Sequence, residues 1–450
     1  MAPMSLPILN PLHWGYNGTV KHVKSNSMVE LDLQNGDKIK FDEFVKKYVP
    51  GVDDNAHFKL NPKLFTGYLQ SMYLTAGDFS KSFQVFYGRE IFKFKDGGVA
   101  SCDYVMNDVW DKKYFSEGKY DKEAFKKDEA ATHLEGWPRL HPRTRHLTEE
   151  ELDQVNGEHE KPLLIIMHGL CGGSFEAIIR SLCDKMDLNK FQVVVLNTRG
   201  CARTKITTKQ LFSAYATGDL RELIDSKLSK NPSRHIYTAG FSFGSTILSN
   251  FLGEEGANCK VKAAATLCNP WDLVHSSEKM TFDFWSSRMF SKAVSQFLVR
   301  TVEVNMNALE QPEDVNNEVE EEISHHKPST HVFTRSNLKK AKKFSTTVEF
   351  DQTFTAPSLG FPSALEYYDA AGSINRLPSI KVPLLAINAE DDPVVGTTNE
   401  KLTSAVEGNP NVLYCSTDLG GHLSYLDKNN DTWATRQMAH FFEKFEDVVN

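Results

Sequence analysis

The pentapeptide G-F-S-F-G at residues 240–244 is the feature that most restricts what this chain can fold into. It follows an apolar run, His235–Ala239, and precedes a run with a helical pattern, Ser245–Leu252. A G-x-S-x-G sequence between a strand and a helix is typical of a strained turn that exposes a serine hydroxyl at the top of a sheet. A side chain at either glycine would block the close approach of helix to strand. We therefore predict that Ser242 is a nucleophile.

Apolar runs separated by helical patterns follow one another from residue 162 onward, apart from one interruption. Continuous rather than alternating apolar strands indicate a parallel sheet that is covered on both faces. The predicted strands are Leu163–Met167, Phe191–Leu196, His235–Ala239, Val261–Leu267, Val382–Ile387 and Val412–Cys415. The predicted helices are Phe175–Met186, Thr217–Leu228, Ser245–Leu252, Asn399–Val406 and Thr432–Val448. The pattern predicts an α/β fold with a mostly parallel sheet.

Residues 1–160 show no such alternation, and we expect them to form an N-terminal extension that packs on the core. Glu90–Lys95 and Val99–Val105 flank an Asp-Gly-Gly turn, which is a hairpin signal. The polar, acidic stretch Thr148–Lys161 is interpreted as an exposed linker.

The interruption divides the core into residues 161–272 and 366–450, and we predict that residues 273–365 between them form an inserted cap. This segment contains an aromatic-rich helical run, an acidic run at Glu318–Glu322 and a basic run at Lys339–Lys343. Such charge runs usually lie on solvated faces.

Partners for Ser242 follow it in the order acid, then histidine. A serine hydroxyl needs a base, and the base needs a group that holds its tautomer. Three carboxylates come directly after the strand Val382–Ile387, and Asp392, which precedes Pro-Val-Val, is the preferred acid with Asp391 as the alternative. His422 follows two glycines after the next strand and is the predicted base. In open α/β sheets these strand ends meet at one edge.

The oxyanion of an acyl-transfer intermediate requires backbone donors. We predict that these are the N–H groups of Phe243, directly after the nucleophile, and of Leu170, in the glycine-containing loop after the first core strand. Cys171 in the same loop lies beside the predicted site and is interpreted as a small packing residue, since no base partner for it is evident.

Other candidate sites are weaker. His325, His326 and His331 could be metal ligands, but they lie in a polar part of the predicted cap, so we interpret them as residues of a solvated loop and predict no metal site. Arg199 and Arg203 follow a strand, and either phosphate contacts or structural ion pairs would account for them. No phosphate-binding or dinucleotide fingerprint is present, so no cofactor is expected.

Composition sets the remaining limits. A formal net charge of −8 argues against a general nucleic-acid binder. The seven cysteines are scattered and odd in number, which favours free thiols in a reducing compartment. We identify no signal peptide and no apolar window of membrane-spanning length, and therefore expect an intracellular protein, cytoplasmic or peripheral on a lipid droplet or membrane.

An ordered series of motifs resembles the AB hydrolase 4 family, with closest likeness to its fungal ester-forming members. The resemblance runs from N-P-L-H-W-G-Y-N-G-T-V near the N-terminus to the last helix. The other motifs are H-G-L-C-G-G-S, N-T-R-G-C-A-R-T-K-I-T-T, G-F-S-F-G-S-T-I-L-S-N-F-L-G-E-E-G, C-N-P-W-D-L, A-L-E-Y-Y, N-A-E-D-D-P-V-V and D-L-G-G-H-L. The resemblance implies an α/β-hydrolase fold, and it carries the family's triad to Ser242, Asp392 and His422.

The same resemblance implies two linked activities, which are acyl transfer from a medium-chain acyl-CoA to ethanol and hydrolysis of medium-chain esters. A lipase-like hydrolase without a synthetic role is the main alternative, with a monoacylglycerol or a related lipid ester as its substrate. A non-catalytic lipid-binding relative is a remote one, because such relatives usually lack a triad member. The sequence does not indicate an oligomeric state.

Overall fold

A computed structural model of the chain describes residues 14–116, 119–157, 160–313 and 328–450. Its strands vary from isolated two-residue pairs to seven-residue members of one large sheet. They are β1 (Asn17–Val23), β2 (Glu30–Asp32), β3 (Lys38–Lys40), β4 (His57–Lys59), β5 (Tyr87–Lys93), β6 (Val99–Val105), β7 (Phe115–Ser116), β8 (Lys119–Tyr120), β9 (Thr144–His146), β10 (Leu163–Met167), β11 (Gln192–Asn197), β12 (Ile236–Phe241), β13 (Val261–Leu267), β14 (Leu384–Ala389) and β15 (Val412–Thr417).

The large sheet has the order β4-β1-β15-β14-β13-β12-β10-β11-β6-β5-β9 within the described residues. Its six central strands, from β15 to β11, are parallel to one another. The predicted mostly parallel sheet is therefore confirmed, and the predicted bounds of β10 and β13 match those observed. All the parallel strands thus end at the same edge, where the candidate site residues follow them.

Both faces of the central sheet are buried, as continuous apolar strands require. Within β10, Leu164 and Ile166 join one hydrophobic cluster, while Leu163 and Ile165 join another on the opposite face. Neighbouring strand residues point to opposite faces, so a strand covered on both sides has no position for an exposed polar residue.

Helices form these two layers and the segment between β13 and β14. They are α1 (Phe41–Tyr48), α2 (Gly67–Ala76), α3 (Asn107–Tyr114), α4 (Lys122–Ala131), α5 (Glu149–Gly157), α6 (Ala177–Lys185), α7 (Thr217–Lys230), α8 (Phe243–Glu255), α9 (Leu273–Phe282), α10 (Phe284–Ser286), α11 (Lys292–Leu309), α12 (Arg335–Ala341), α13 (Thr347–Thr353), α14 (Thr355–Ser358), α15 (Ala364–Ala371), α16 (Glu400–Glu407) and α17 (Trp433–Val448). No helix among the residues described is both long and apolar enough to cross a membrane.

The N-terminal region contributes strands to the large sheet and does not only pack on it. Strands β1 and β4 extend one edge beyond β15, and β6, β5 and β9 extend the other beyond β11. The predicted hairpin is present, since β5 and β6 pair antiparallel from Tyr87–Val105 to Lys93–Val99. Both edges of the parallel core are thereby covered by strands from the first 146 residues.

The predicted exposed linker at Thr148–Lys161 is wrong over most of its length, because α5 occupies Glu149–Gly157. The Thr148 hydroxyl accepts a hydrogen bond from the Glu151 N–H at 3.2 Å, and the Glu151 carboxylate accepts one from the Thr148 N–H at 3.0 Å. This reciprocal capping starts the helix. Glu151 also pairs with the Arg145 guanidinium at 2.5 Å. The T-x-x-E sequence at Thr148–Glu151 is a capping-box signal that the polarity argument did not take into account.

The segment between β13 and β14 is helical, from α9 through α15, with a five-residue π-helix, Ser287–Ser291, joining α10 and α11. The acidic run predicted there, at Glu318–Glu322, lies outside the described residues. The division of the chain at residues 161, 273 and 366 stays a prediction.

Candidate active site

Ser242 lies between β12 and α8 with a backbone φ of 50°. A positive φ is uncommon for a residue that carries a side chain, and it persists only where surrounding structure enforces it. The Ser242 N–H donates to the Leu267 carbonyl oxygen at 2.9 Å, which ties the turn to β13. The flanking glycines explain the close packing. A Cβ atom on Gly240 would lie 2.6 Å from the Ser245 Cα, and one on Gly244 would lie 2.3 Å from the His168 carbonyl oxygen.

A continuous hydrogen-bonded chain joins Ser242, His422 and Asp392. The His422 Nδ1 lies 2.8 Å from Asp392 Oδ2, and its Nε2 lies 2.9 Å from Ser242 Oγ. A carboxylate only accepts hydrogen bonds, so Nδ1 carries the proton and Nε2 is free to accept the serine proton. The arrangement has the connectivity of a nucleophile, a base and an orienting acid.

Asp392 is fixed by its own loop. Its Oδ1 accepts hydrogen bonds from the N–H groups of Val394 at 2.7 Å and Val395 at 2.9 Å. The Asp392 side chain is fully buried, whereas the His422 side chain is 15% exposed. The acid therefore has little freedom to move, while part of the His422 side chain is accessible to solvent.

Asp391, the alternative acid, points elsewhere. Its Oδ1 accepts a hydrogen bond from the Gly421 N–H at 2.8 Å, and it makes no hydrogen bond to the His422 ring. Burial is the largest cause that raises the pKa of the Asp391 carboxyl to about 8, and the charge of neighbouring Asp392 acts in the same direction. Both effects favour the protonated form of the Asp391 carboxyl.

The loop after β10 carries the predicted oxyanion donor Leu170. Among the described residues, neither the Leu170 nor the Phe243 N–H donates a hydrogen bond to a protein acceptor. Unpaired N–H groups beside a nucleophile are what an oxyanion hole provides. Gly169 packs against the serine, since a Cβ atom at that position would lie 3.5 Å from the Ser242 Cβ.

His168 is a residue near the site that sequence reasoning left without a role. Its Nε2 accepts a hydrogen bond from the Thr198 N–H at 3.0 Å, so its Nδ1 donates to the Gly169 carbonyl oxygen at 2.6 Å. Burial lowers the pKa of the imidazole to about 4, which keeps it neutral and able to make both bonds. It connects the loops after β10 and β11. The His-Gly dipeptide directly after a predicted strand is the sequence feature that could have indicated this role.

The cysteines near the site are not activated. Burial raises the pKa of the Cys171 thiol, and this side chain packs against apolar residues between β13 and β14. Cys268 has a ligand atom within 4.8 Å of those of Asp392 and His422, and these three form a geometrically possible metal cluster among the described residues. Burial also raises the pKa of the Cys268 thiol. Metal ligation requires a thiolate, so this donor set fits a metal poorly.

The remaining candidates lie in structural contacts. The Arg199 guanidinium pairs with Asp219 at 2.6 Å and with Asp96 at 2.6 Å, which favours the structural reading of that residue. Arg203 donates to backbone carbonyl oxygens on the N-terminal side of β9. The exposed His331 lies with its Nδ1 2.9 Å from the Pro312 carbonyl oxygen. His325 and His326 lie outside the described residues.

The sequence of this chain matches a family model and two yeast proteins of known name. The family model described as alpha/beta hydrolase fold matches residues 162–429. The chain is 54% identical over 449 residues to the medium-chain fatty acid ethyl ester synthase/esterase 2 of Saccharomyces cerevisiae, covering 98% of each chain. It is 30% identical over 414 residues to the monoacylglycerol lipase of the same yeast, covering 92% of this chain and 86% of the relative.

Proposed function

The chain belongs to the alpha/beta hydrolase fold family, and from this premise we propose that it is a serine-dependent medium-chain acyl-CoA:ethanol O-acyltransferase that also hydrolyses medium-chain esters. Ser242, His422 and Asp392 are the proposed catalytic triad. The observation that carries the proposal is the hydrogen-bonded chain from Asp392 through His422 to Ser242. The name of the yeast relative supports a medium-chain ethyl ester as product and substrate, and acyl-CoA as the acyl donor is part of our proposal.

In the first half-reaction the Ser242 Oγ attacks the acyl carbonyl carbon while His422 Nε2 takes its proton. Asp392 stabilises the imidazolium that forms. The N–H groups of Leu170 and Phe243 hold the oxyanion, which is where charge develops in the transition state. The C–S bond to coenzyme A then breaks, the thiolate takes the proton from His422, and the acyl group remains on Ser242 as an ester.

In the second half-reaction an alcohol occupies the space that the thiol leaves. His422 Nε2 takes the hydroxyl proton of ethanol as its oxygen attacks the acyl-enzyme. Collapse of the second tetrahedral intermediate returns the proton to Ser242 and releases an ethyl ester. Water in the same position gives a free fatty acid, so one acyl-enzyme serves both synthesis and hydrolysis.

Apolar packing beside the proposed oxyanion donors supports an acyl-chain site there. The side chains of Leu170 and Phe243 pack against a hydrophobic cluster that is formed largely by the segment between β13 and β14. Members of the cluster from this segment include Leu298, Val299, Val302, Phe350 and Phe354. An acyl chain whose carbonyl oxygen points at these two N–H groups lies next to that cluster, where it gains about 0.8 kcal/mol per buried methylene.

Incubation with octanoyl-CoA and a series of ethanol concentrations tests the substrate assignment. We expect ethyl octanoate to increase at the expense of free octanoate as ethanol rises, because both products arise from one acyl-enzyme. Gas chromatography of both products measures the partition, and Ser242→Ala protein is the control for uncatalysed ethanolysis. Octanoate as the sole product at every ethanol concentration would contradict the synthetic role.

That contrary outcome would favour a lipase-like hydrolase, for which the second yeast relative is the specific support. Release of glycerol from a medium-chain monoacylglycerol distinguishes this alternative.

We also propose a peripheral contact with a lipid surface. The segment between β13 and β14 exposes large apolar side chains, with Phe282 75% exposed and Val304 69% exposed. We expect the protein to float with phosphatidylcholine vesicles in a density gradient and Phe282→Ser to reduce the floating fraction severalfold. Equal flotation of both proteins would contradict a role for this side chain.

A further inference from the structure

The loop that carries His422 is held by side chains from three distant parts of the chain. The Gly421 N–H donates to Asp391 Oδ1 at 2.8 Å, and the His422 N–H donates to Ser71 Oγ at 2.7 Å. The Leu423 N–H donates to Cys268 Sγ at 3.2 Å. Three consecutive backbone donors thus each end on a side chain, so the backbone at His422 has little freedom to rotate.

Ser71 belongs to α2, which the N-terminal region contributes. Its hydroxyl donates to the Gly67 carbonyl oxygen at 2.6 Å, which directs the remaining lone pairs toward His422. The same helix also binds the C-terminal end of the loop. There, Gln70 Oε1 accepts a hydrogen bond from the Leu426 N–H at 2.9 Å, and Gln70 Nε2 donates one to the Leu426 carbonyl oxygen at 3.2 Å.

Helix α2, Asp391 and the loop pack so closely that two glycines between them have no room for a Cβ atom. A Cβ atom on Gly67 would lie 2.1 Å from the Asp391 carbonyl oxygen, and one on Gly421 would lie 2.5 Å from the Gly67 carbonyl oxygen. Gly421 has a φ of 63°, a conformation that a glycine adopts without strain. The other side of α2 is anchored by the Tyr68 hydroxyl, which donates to Asp283 at 2.9 Å.

We propose that Ser71 and Asp391 are positioning residues, which hold the backbone on both sides of His422 so that its ring stays in line with Ser242. This role rests on the proposed function, since it presupposes that His422 is the base. Neither residue touches the reacting atoms, and each acts through one backbone N–H. The Asp391 side chain contributes as a hydrogen-bond acceptor at Oδ1, so the role requires its shape but not a charge.

Inactivation by a fluorophosphonate provides a readout that a purely structural role would not change. The Ser242 Oγ–P bond forms, the P–F bond breaks with loss of fluoride, and His422 takes the serine proton. A destabilised enzyme would show fewer reactive molecules but an unchanged rate constant. A displaced His422 would show a lower rate constant at full amplitude.

The experiment compares Ser71→Ala, Asp391→Ala and Asp391→Asn with wild-type protein. We expect Ser71→Ala and Asp391→Ala to lower the inactivation rate constant and kcat for a p-nitrophenyl ester by about tenfold to a hundredfold, because small displacements of reacting groups have effects of that order. KM should stay within about twofold. Asp391→Asn keeps an acceptor of the same shape and should restore the rate constant to within about threefold of wild type.

Thr75→Val is the matched control, since the hydroxyl of Thr75 donates to the Ser71 carbonyl oxygen on the same helix rather than to a group of the loop. Wild-type rate constants in both alanine variants would overturn the proposal, as would a deficit in Asp391→Asn equal to that of Asp391→Ala. If Ser71→Ala does not fold, the Asp391 pair decides the outcome. Failure of wild-type protein itself to react would instead contradict the proposed serine mechanism, and the positioning role would fall with it.

Discussion

Replacing Ser242 with alanine is expected to lower kcat for p-nitrophenyl ester hydrolysis by a factor of about 10⁴ or more, since removal of a nucleophile eliminates the covalent route. The turn between β12 and α8 should survive, because alanine adds no atom to a site where the serine Cβ already fits. Circular dichroism and the thermal unfolding midpoint should therefore match wild type. The variant should also lose the single site of fluorophosphonate labelling.

Ser245→Ala is the matched control for this experiment. Ser245 lies three residues along α8, and its hydroxyl donates to the Leu267 carbonyl oxygen at 3.3 Å rather than to the histidine. Its kcat should remain within about threefold of wild type, as expected for a residue outside the reacting group. Activity of Ser242→Ala within tenfold of wild type would rule out Ser242 as the nucleophile.

The second large effect is expected for Asp392→Asn, which should lower kcat by about 10³–10⁴-fold. The His422 Nδ1–H requires an acceptor at 2.8 Å, and the Asp392 Oδ1 is already occupied by two backbone N–H groups. An amide at this position directs its NH₂ group at the ring and favours the wrong tautomer, with the proton on Nε2. It also removes the negative charge that stabilises the imidazolium. Steady-state kinetics with a p-nitrophenyl ester measures the loss.

Asp391→Asn is the matched control because the two carboxyls are adjacent and both buried. Burial raises the pKa of the Asp391 carboxyl and favours its neutral form, which an amide matches in charge and shape. We expect kcat within about threefold of wild type. A larger loss in Asp391→Asn than in Asp392→Asn would transfer the role of the orienting acid to Asp391.

The core of the fold was predictable because its signals are local. β10 and β13 were predicted with their observed bounds, since strands covered on both faces consist mostly of apolar residues, with Lys262 and Thr266 as the exceptions in β13. The turn at Ser242 was predictable for a similar reason. Gly240 is required by a contact with Ser245 that is close in sequence, and the G-x-S-x-G pattern also marks Gly244, whose contact with the His168 carbonyl oxygen is distant in sequence.

The edges of the sheet were not predictable in the same way. β1 and β15 pair over almost the whole chain length, with Thr19 and Asp418 joined by a hydrogen bond across 399 residues. Nothing in the seven residues of β1 specifies that partner, because short strands pair through backbone groups that every residue carries. The sequence therefore indicated an extension but not its place in the sheet.

Choosing between Asp391 and Asp392 likewise depended on information that a sequence lacks. Both follow the same strand and both are buried. Their side chains differ only in direction, one toward the His422 ring and the other toward the Gly421 backbone. The sequence favoured Asp392 on its position before Pro-Val-Val, and the catalytic role of the triad stays a prediction that the two pairs of variants test.

The pairing of β1 with β15 also bears on how the protein is made. Strand β1 can pair with β4 early in synthesis, but its other neighbour, β15, follows only after almost 400 further residues. At typical elongation rates of about 5–20 residues per second, the edge of β1 that faces β15 keeps unpaired backbone groups for tens of seconds. Exposed strand edges can pair with other chains and aggregate. We therefore expect the nascent chain to need protection by a chaperone until β15 has been synthesised.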